Sequence, residues 1–162
     1  MPDHRNIIVG AALLKVDGVD VGYTQGGVTQ RYAPEFFDVS ADQLAGIARK
    51  EKISEKMTVG TTMLETTLEN LRKAMGHNTS HAFSGSALTI GEASPVVTEH
   101  VLTIIGKAPN GGTRTVTYYR AISVDEIEHM IGARDQASIL PVSFECLKDP
   151  AYGNSFCKII DT

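Results

Sequence analysis

The chain contains no tryptophan, and aromatic residues make up only 6% of it. That scarcity disfavours a single-stranded nucleic-acid platform, which stacks bases on exposed rings. Neither charge dominates: 15 Lys and Arg against 19 Asp and Glu leave a net charge of −4. A basic stripe, the usual footprint of a non-specific nucleic-acid binder, is missing. The longest basic-looking run, Arg49-Lys50-Glu51-Lys52, is diluted by an acid and reads most simply as a solvated loop. No apolar run approaches the roughly 18 residues of a membrane span. The segment Ile7–Leu14 is apolar, but it is short, broken by Gly10 and without a clear cleavage pattern, so no secretory signal is expected. There are two cysteines, Cys146 and Cys157. The expectation is synthesis in a reducing cytoplasm with both thiols free.

Motifs that carry chemistry are also scarce. His77-x-x-x-His81 has the spacing of a zinc pair, but it lacks the intervening glutamate of the metalloprotease helix and follows Gly76, where a helix should end. Cys146 and Cys157 lack the x-x spacing of a zinc ribbon. Ser86 follows Gly85 without a Gly-x-Ser-x-Gly elbow. The glycine spacings match no phosphate loop, and Asp3, Asp17, Asp20, Asp38 and Asp42 match no calcium loop. We therefore expect no enzyme, no cofactor and no metal. The alternative of another class is a small metal-dependent β-sandwich enzyme using His77, His81 and a carboxylate.

What the chain does have is a β pattern. With 162 residues, 42% of them apolar, 15 glycines and 6 prolines, it suits a single domain over residues 1–162. Ala12–Asp17 reads as a strand, Asp17-Gly18 as a tight hairpin turn, and Val19–Thr24 as its return. Gly26-Gly27 marks another expected turn before Val28–Tyr32. Pro34 suggests an edge strand or a bulge, and Phe36–Ser40 resumes the extended pattern. After a polar stretch, Ile53–Val59 alternates, with Ile53, Met57 and Val59 on one face, Glu55 being the exception there, and Lys52, Ser54, Lys56 and Thr58 on the other. Together these segments form a long hairpin whose tip carries Asp42, Arg49, Lys50, Glu51 and Lys52.

One helix is expected. Thr62-x-x-Glu65 has the form of a capping box. Leu64, Leu68, Leu71 and Met75 fall on one apolar stripe, Arg72 and Lys73 suit the C-terminal end, and Gly76 terminates. The stripe is core packing. Strand patterns resume at Ser84–Ile90, Val96–Ile105, Thr113–Ile122, Ile139–Leu147 and Phe156–Ile160, with a turn at Pro109-Asn110-Gly111-Gly112. Ile127–Ala133 fits either a strand or a helix. Val116, Tyr118 and Ile122 share one face of their strand; Leu140, Val142, Phe144 and Cys146 share one face of theirs. Strands follow strands directly, so the expected fold is mainly β: two packed antiparallel sheets, a sandwich or partial barrel, with one flanking helix.

Three segments carry a family resemblance. Val19-Asp20-Val21-Gly22-Tyr23-Thr24-Gln25-Gly26-Gly27-Val28 resembles the opening of phage tail tube proteins. Thr58 through Leu71 is similar to their strand-to-helix passage. Ile139–Leu147, followed by Gly153 and Phe156–Ile160, is similar to their C-terminal strand pair. The resemblance implies a structural virion protein made in the bacterial host cytoplasm and residing in the tail. Homohexameric rings would stack axially through a long hairpin loop, matched here by about Asp38–Glu55, with Asp42, Arg49, Lys50, Glu51 and Lys52 at the inter-ring contact. Partners would be further copies of the chain, with sheath, tape-measure, baseplate and tail-terminator proteins, and DNA passing without specific binding. Bacteriocin tubes and type VI secretion tubes share the fold and remain an alternative. For the loop charges, mere solubility is the competing reading.

Overall fold

The computed structural model describes residue 8 and residues 10–40, 46–76, 83–84, 86–91, 97–124, 126–129 and 137–162. The strands are β1 (Leu13–Val16), β2 (Val19–Asp20), β3 (Thr24–Ser40), β4 (Ile47–Met63), β5 (Phe83–Ser84), β6 (Ala87–Leu88), β7 (His100–Lys107), β8 (Thr113–Ser123), β9 (Leu140–Leu147) and β10 (Cys157–Asp161). The helix α1 spans Leu68–Ala74. The protein is mainly β with one flanking helix, as the alternation and the turn residues predict. Every strand pair is antiparallel.

The main sheet is a single open one, in the order β2-β1-β7-β8-β9-β4-β3 with β10 added on β8; β5 and β6 make a separate small hairpin. The two expected layers are therefore arms of one sheet, and the sheet does not close into a barrel. The joint is β8. Its first half, Arg114–Tyr118, carries β10, and its second half, Arg120–Ser123, carries β9. The arms share one core of Leu14, Val16, Leu102, Val116 and Tyr118 with Met57, Val59, Met63, Leu140, Val142 and Phe144. Contacts cross that core. The buried Tyr118 hydroxyl donates to Gln30 Oε1 of β3 at 2.6 Å, and Cys157 Sγ lies 3.9 Å from Met57 Sδ. Burial lifts the Tyr118 hydroxyl well above its ordinary pKa, so it stays a donor.

Several expectations need correction. The capping box at Thr62 and Glu65 does not form, because Thr61–Met63 belong to β4 and are paired on both sides, with β3 and with β9. The helix starts later, where Thr67 Oγ1 accepts from the Asn70 amide at 3.2 Å. Leu64 thus lies outside the helix, Leu71 is buried, and Leu68 and Met75 pack partly buried against the core. Gly76, at φ +67°, ends the element as predicted. Gly26 and Gly27 are not a turn but a bulge within β3: both have positive φ, and the register with β4 shifts between Gln25 and Val28. Ala121, not Ile122, enters the core, because an irregularity opposite His100–Leu102 shifts the phase of β8 after Tyr118. Within the expected Val96–Ile105, β7 begins at His100 and exposes Val101. Within Ser84–Ile90 the strand residues are the short β5 and β6. Of Ile127–Ala133, only residues 127–129 are described, and they are neither strand nor helix.

The helix is tied to the sheet by polar groups as well as by Leu71. Asn70 Nδ2 donates to the Val21 carbonyl at 2.9 Å and to the Glu65 carbonyl at 2.8 Å. Glu65 Oε1 accepts from the Tyr23 amide at 3.2 Å instead of capping the helix. Its carboxylate rests against Gly22, whose φ of +82° and close approach leave no room for a side chain. Lys73 is buried, with Nζ 3.2 Å from Glu69 Oε1 and 3.3 Å from the Val16 carbonyl.

Candidate assembly surface

The strands β3 and β4 pair along their whole length, but β9 covers β4 only from Met57 to Met63. From Ile47 to Lys56, β4 has β3 as its only neighbouring strand among the described residues. These two strands therefore leave the body as a two-stranded ribbon of roughly 30 Å, at about 3.4 Å per residue. An isolated two-stranded hairpin is marginal in water, and this one exposes large apolar side chains. Phe36 is 52% exposed, Phe37 57% and Ile53 60%, and Tyr32 and Ile47 are also about half exposed.

Paired residues place their side chains on the same face. Tyr32 pairs with the core residue Met57, so Tyr32, Pro34 and Phe36 extend the core-side face of β3 beyond the body. Phe37 and Val39 alternate onto the other face. Pro34 sits on the edge strand, as predicted, next to a register slip between Glu35 and Phe36 that leaves Ile53 without a partner of its own. The outer edge of β3, from Thr24 to Ser40, has no strand beside it among the described residues. Among the described residues β10, at the other arm, is bonded on one side only, to β8.

The charges expected at a loop tip lie instead along β4. Arg49, Lys50, Glu51 and Lys52 pair with Val39, Asp38, Phe37 and Phe36, and each charge has an ion partner within the ribbon. Lys50 Nζ is 2.8 Å from Asp38 Oδ1, Arg49 is 3.0 Å from Glu51, and Lys52 Nζ is 2.6 Å from Glu55 Oε2. Asp42 lies outside the described residues. Exposed pairs of this kind contribute little stability.

Where the ribbon meets the body, Glu55 gathers three donors. Lys148 Nζ reaches Oε1 at 2.6 Å, and Lys52 Nζ and the Tyr32 hydroxyl reach Oε2 at 2.6 and 2.5 Å. Lys148, then Lys52, then Tyr32 hold the Glu55 carboxyl at about 2, well below the usual carboxylate range. Glu55 thereby links the ribbon to the segment after β9. On the face turned away from the core, Thr29, Arg31, Thr58 and Lys56 neighbour Ser143 and Glu145, and Lys56 Nζ is 2.6 Å from Glu145 Oε2.

His77 and His81 lie outside the described residues, and no group of three or more His, Cys, Asp and Glu side chains forms among those described. No described helix is long and apolar enough to cross a membrane. Both cysteines are free. Burial, with Cys157 and then Glu145 adding to it, pushes the Cys146 thiol up to about 12; burial also raises Cys157. No family model matches the chain, and no curated protein matches it in sequence. The aromatic face of the ribbon has its sequence signal in the adjacent Phe36 and Phe37, set between Glu35 and Asp38.

Proposed function

We propose that this chain is a structural subunit that assembles with copies of itself into rings, and that the rings stack into the hollow tube of a phage tail or a related injection machine. The observation that carries this reading is the open sheet with its long uncovered β3 edge, continued by a ribbon that exposes aromatic side chains. Unpaired strand edges attract further strands. A heterologous contact repeated around an axis satisfies them by closing a ring. The ribbon, projecting from the body, then contacts the next ring.

The polar face of β3, β4 and β9 suits the wall of a water-filled channel. Its cations Arg31 and Lys56 are matched by the carboxylates Glu35 and Glu145. A wall balanced in this way neither holds nor strongly repels phosphates, so DNA slides past it. A strongly basic lumen in the assembled ring would contradict this.

The contact role of the ribbon charges is tested by a pair swap, Asp38→Lys with Lys50→Glu. The swap keeps the cross-strand pair and reverses its polarity, so the ribbon stays intact while its outward field changes. Shorter tubes are expected, measured by electron microscopy. Tubes of unchanged length would remove Lys50 from the contact between rings.

A further inference from the structure

Three sulfur-bearing side chains lie on strands that meet at the junction of the two arms of the sheet. Cys157 Sγ, at the first residue of β10, lies 3.9 Å from Met57 Sδ in β4. Met57 stands directly opposite Cys146 in the ladder between β4 and β9. Side chains so opposed share one face, with Cβ atoms about 4.5–5.5 Å apart. Met57 and Cys146 are buried, Cys157 is half-buried against the same core, and neither thiol is in a disulfide.

We propose that Met57, Cys146 and Cys157 form a three-sulfur site for a soft monovalent cation, Cu(I) being the biological one. Thiolate and thioether donors select Cu(I) over harder ions. With metal–sulfur bonds of about 2.3 Å, three sulfurs in a trigonal plane stand roughly 4.0 Å apart. The Met57–Cys157 pair already has that separation. No cluster of three or more His, Cys, Asp and Glu surrounds these sulfurs among the described residues, so the donor set is too small and too soft for tetrahedral zinc. The half-buried Cys157 provides the way in. Binding replaces the two thiol protons by the metal and releases them to solvent, with no change in the oxidation state of copper or sulfur. The bound ion ties β10, an edge strand, to β4 and β9, and so joins the two arms. This inference is independent of the tube reading.

The test titrates the reduced full-length protein with Cu(I) under anaerobic conditions, against a chromophoric Cu(I) chelator, and repeats the titration with Ag(I). One ion per chain is expected, with a rise in melting temperature on binding. X-ray absorption is expected to show three sulfur neighbours near 2.3 Å. Met57→Leu, which conserves volume, and Cys157→Ser, at a half-buried position, should each weaken binding at least about tenfold, the loss that even outer-shell changes produce. Circular dichroism checks that both variants fold. Absence of stoichiometric binding overturns the proposal. So does binding that Cys157→Ser abolishes but Met57→Leu leaves unchanged, which marks capture by a lone thiol.

Discussion

Replacing Phe36 by serine separates folding from assembly. The side chain is 52% exposed on the ribbon, opposite Lys52 and beyond the reach of β9. An aromatic side chain presents about 200 Å², so roughly 100 Å² of Phe36 remains to be covered. At about 25 cal/mol per Å² that surface is worth some 2.5 kcal/mol per contact. Ordering the side chain on association takes back about 0.5–1.5 kcal/mol. The protein concentration at which rings or tubes appear should therefore rise between about fivefold and thirtyfold. The subunit itself should hardly notice, because an exposed substitution away from the core changes stability by no more than about 0.5 kcal/mol. Urea unfolding of dilute protein measures the second quantity, and sedimentation velocity over a concentration series measures the first. An unchanged assembly threshold would refute the claim that this face is covered by another copy. A large loss of subunit stability would show that Phe36 serves the fold instead.

Three further outcomes are expected. Asn70→Ala strands the carbonyls of Val21 and Glu65, which Asn70 Nδ2 now satisfies; at about 1–3 kcal/mol for a buried unmet group, urea denaturation should register a loss of roughly 2–4 kcal/mol. Gly22→Ala forces a side chain into φ +82° against the Glu65 carboxylate, and should cost about 2 kcal/mol, read as a lowered urea midpoint. The Glu55 carboxyl, at about 2 in the folded protein against 4.5 ordinarily, contributes its stability above pH 4.5 and loses it as the pH falls towards 2. Glu55→Gln should flatten the acid limb of a stability-against-pH curve in that window.

How far the sequence alone discloses this fold depends on which interactions decide each element. β9 is legible because Leu140, Val142, Phe144 and Cys146 alternate without interruption and all four are buried. The Asp17-Gly18 turn is equally plain, with both residues at positive φ. The helix start is not, because Thr62-x-x-Glu65 and Thr67-x-x-Asn70 both offer a hydroxyl cap, and only the pairing of Thr61–Met63 between β3 and β9 decides against the first. Local propensity yields to tertiary pairing there. Bulges hide for a related reason. Gly26-Gly27 looks like any glycine turn, and one irregularity after Tyr118 moves the core position from Ile122 to Ala121. The ribbon is legible as a hairpin, but neither its charge pattern nor its aromatic residues disclose which of them is left uncovered. Arg49, Lys50 and Lys52 have acidic partners within the ribbon, whereas Phe36, Phe37 and Ile53 are each more than half exposed.

Everything proposed about function turns on whether the uncovered rim of β3 is met by another copy of the same chain. Negative-stain electron microscopy of the purified protein, across a concentration series, addresses this most directly. Rings with a central hole, stacking along one axis as concentration rises, are the expected result. A solitary 17.4 kDa particle at every concentration would contradict it.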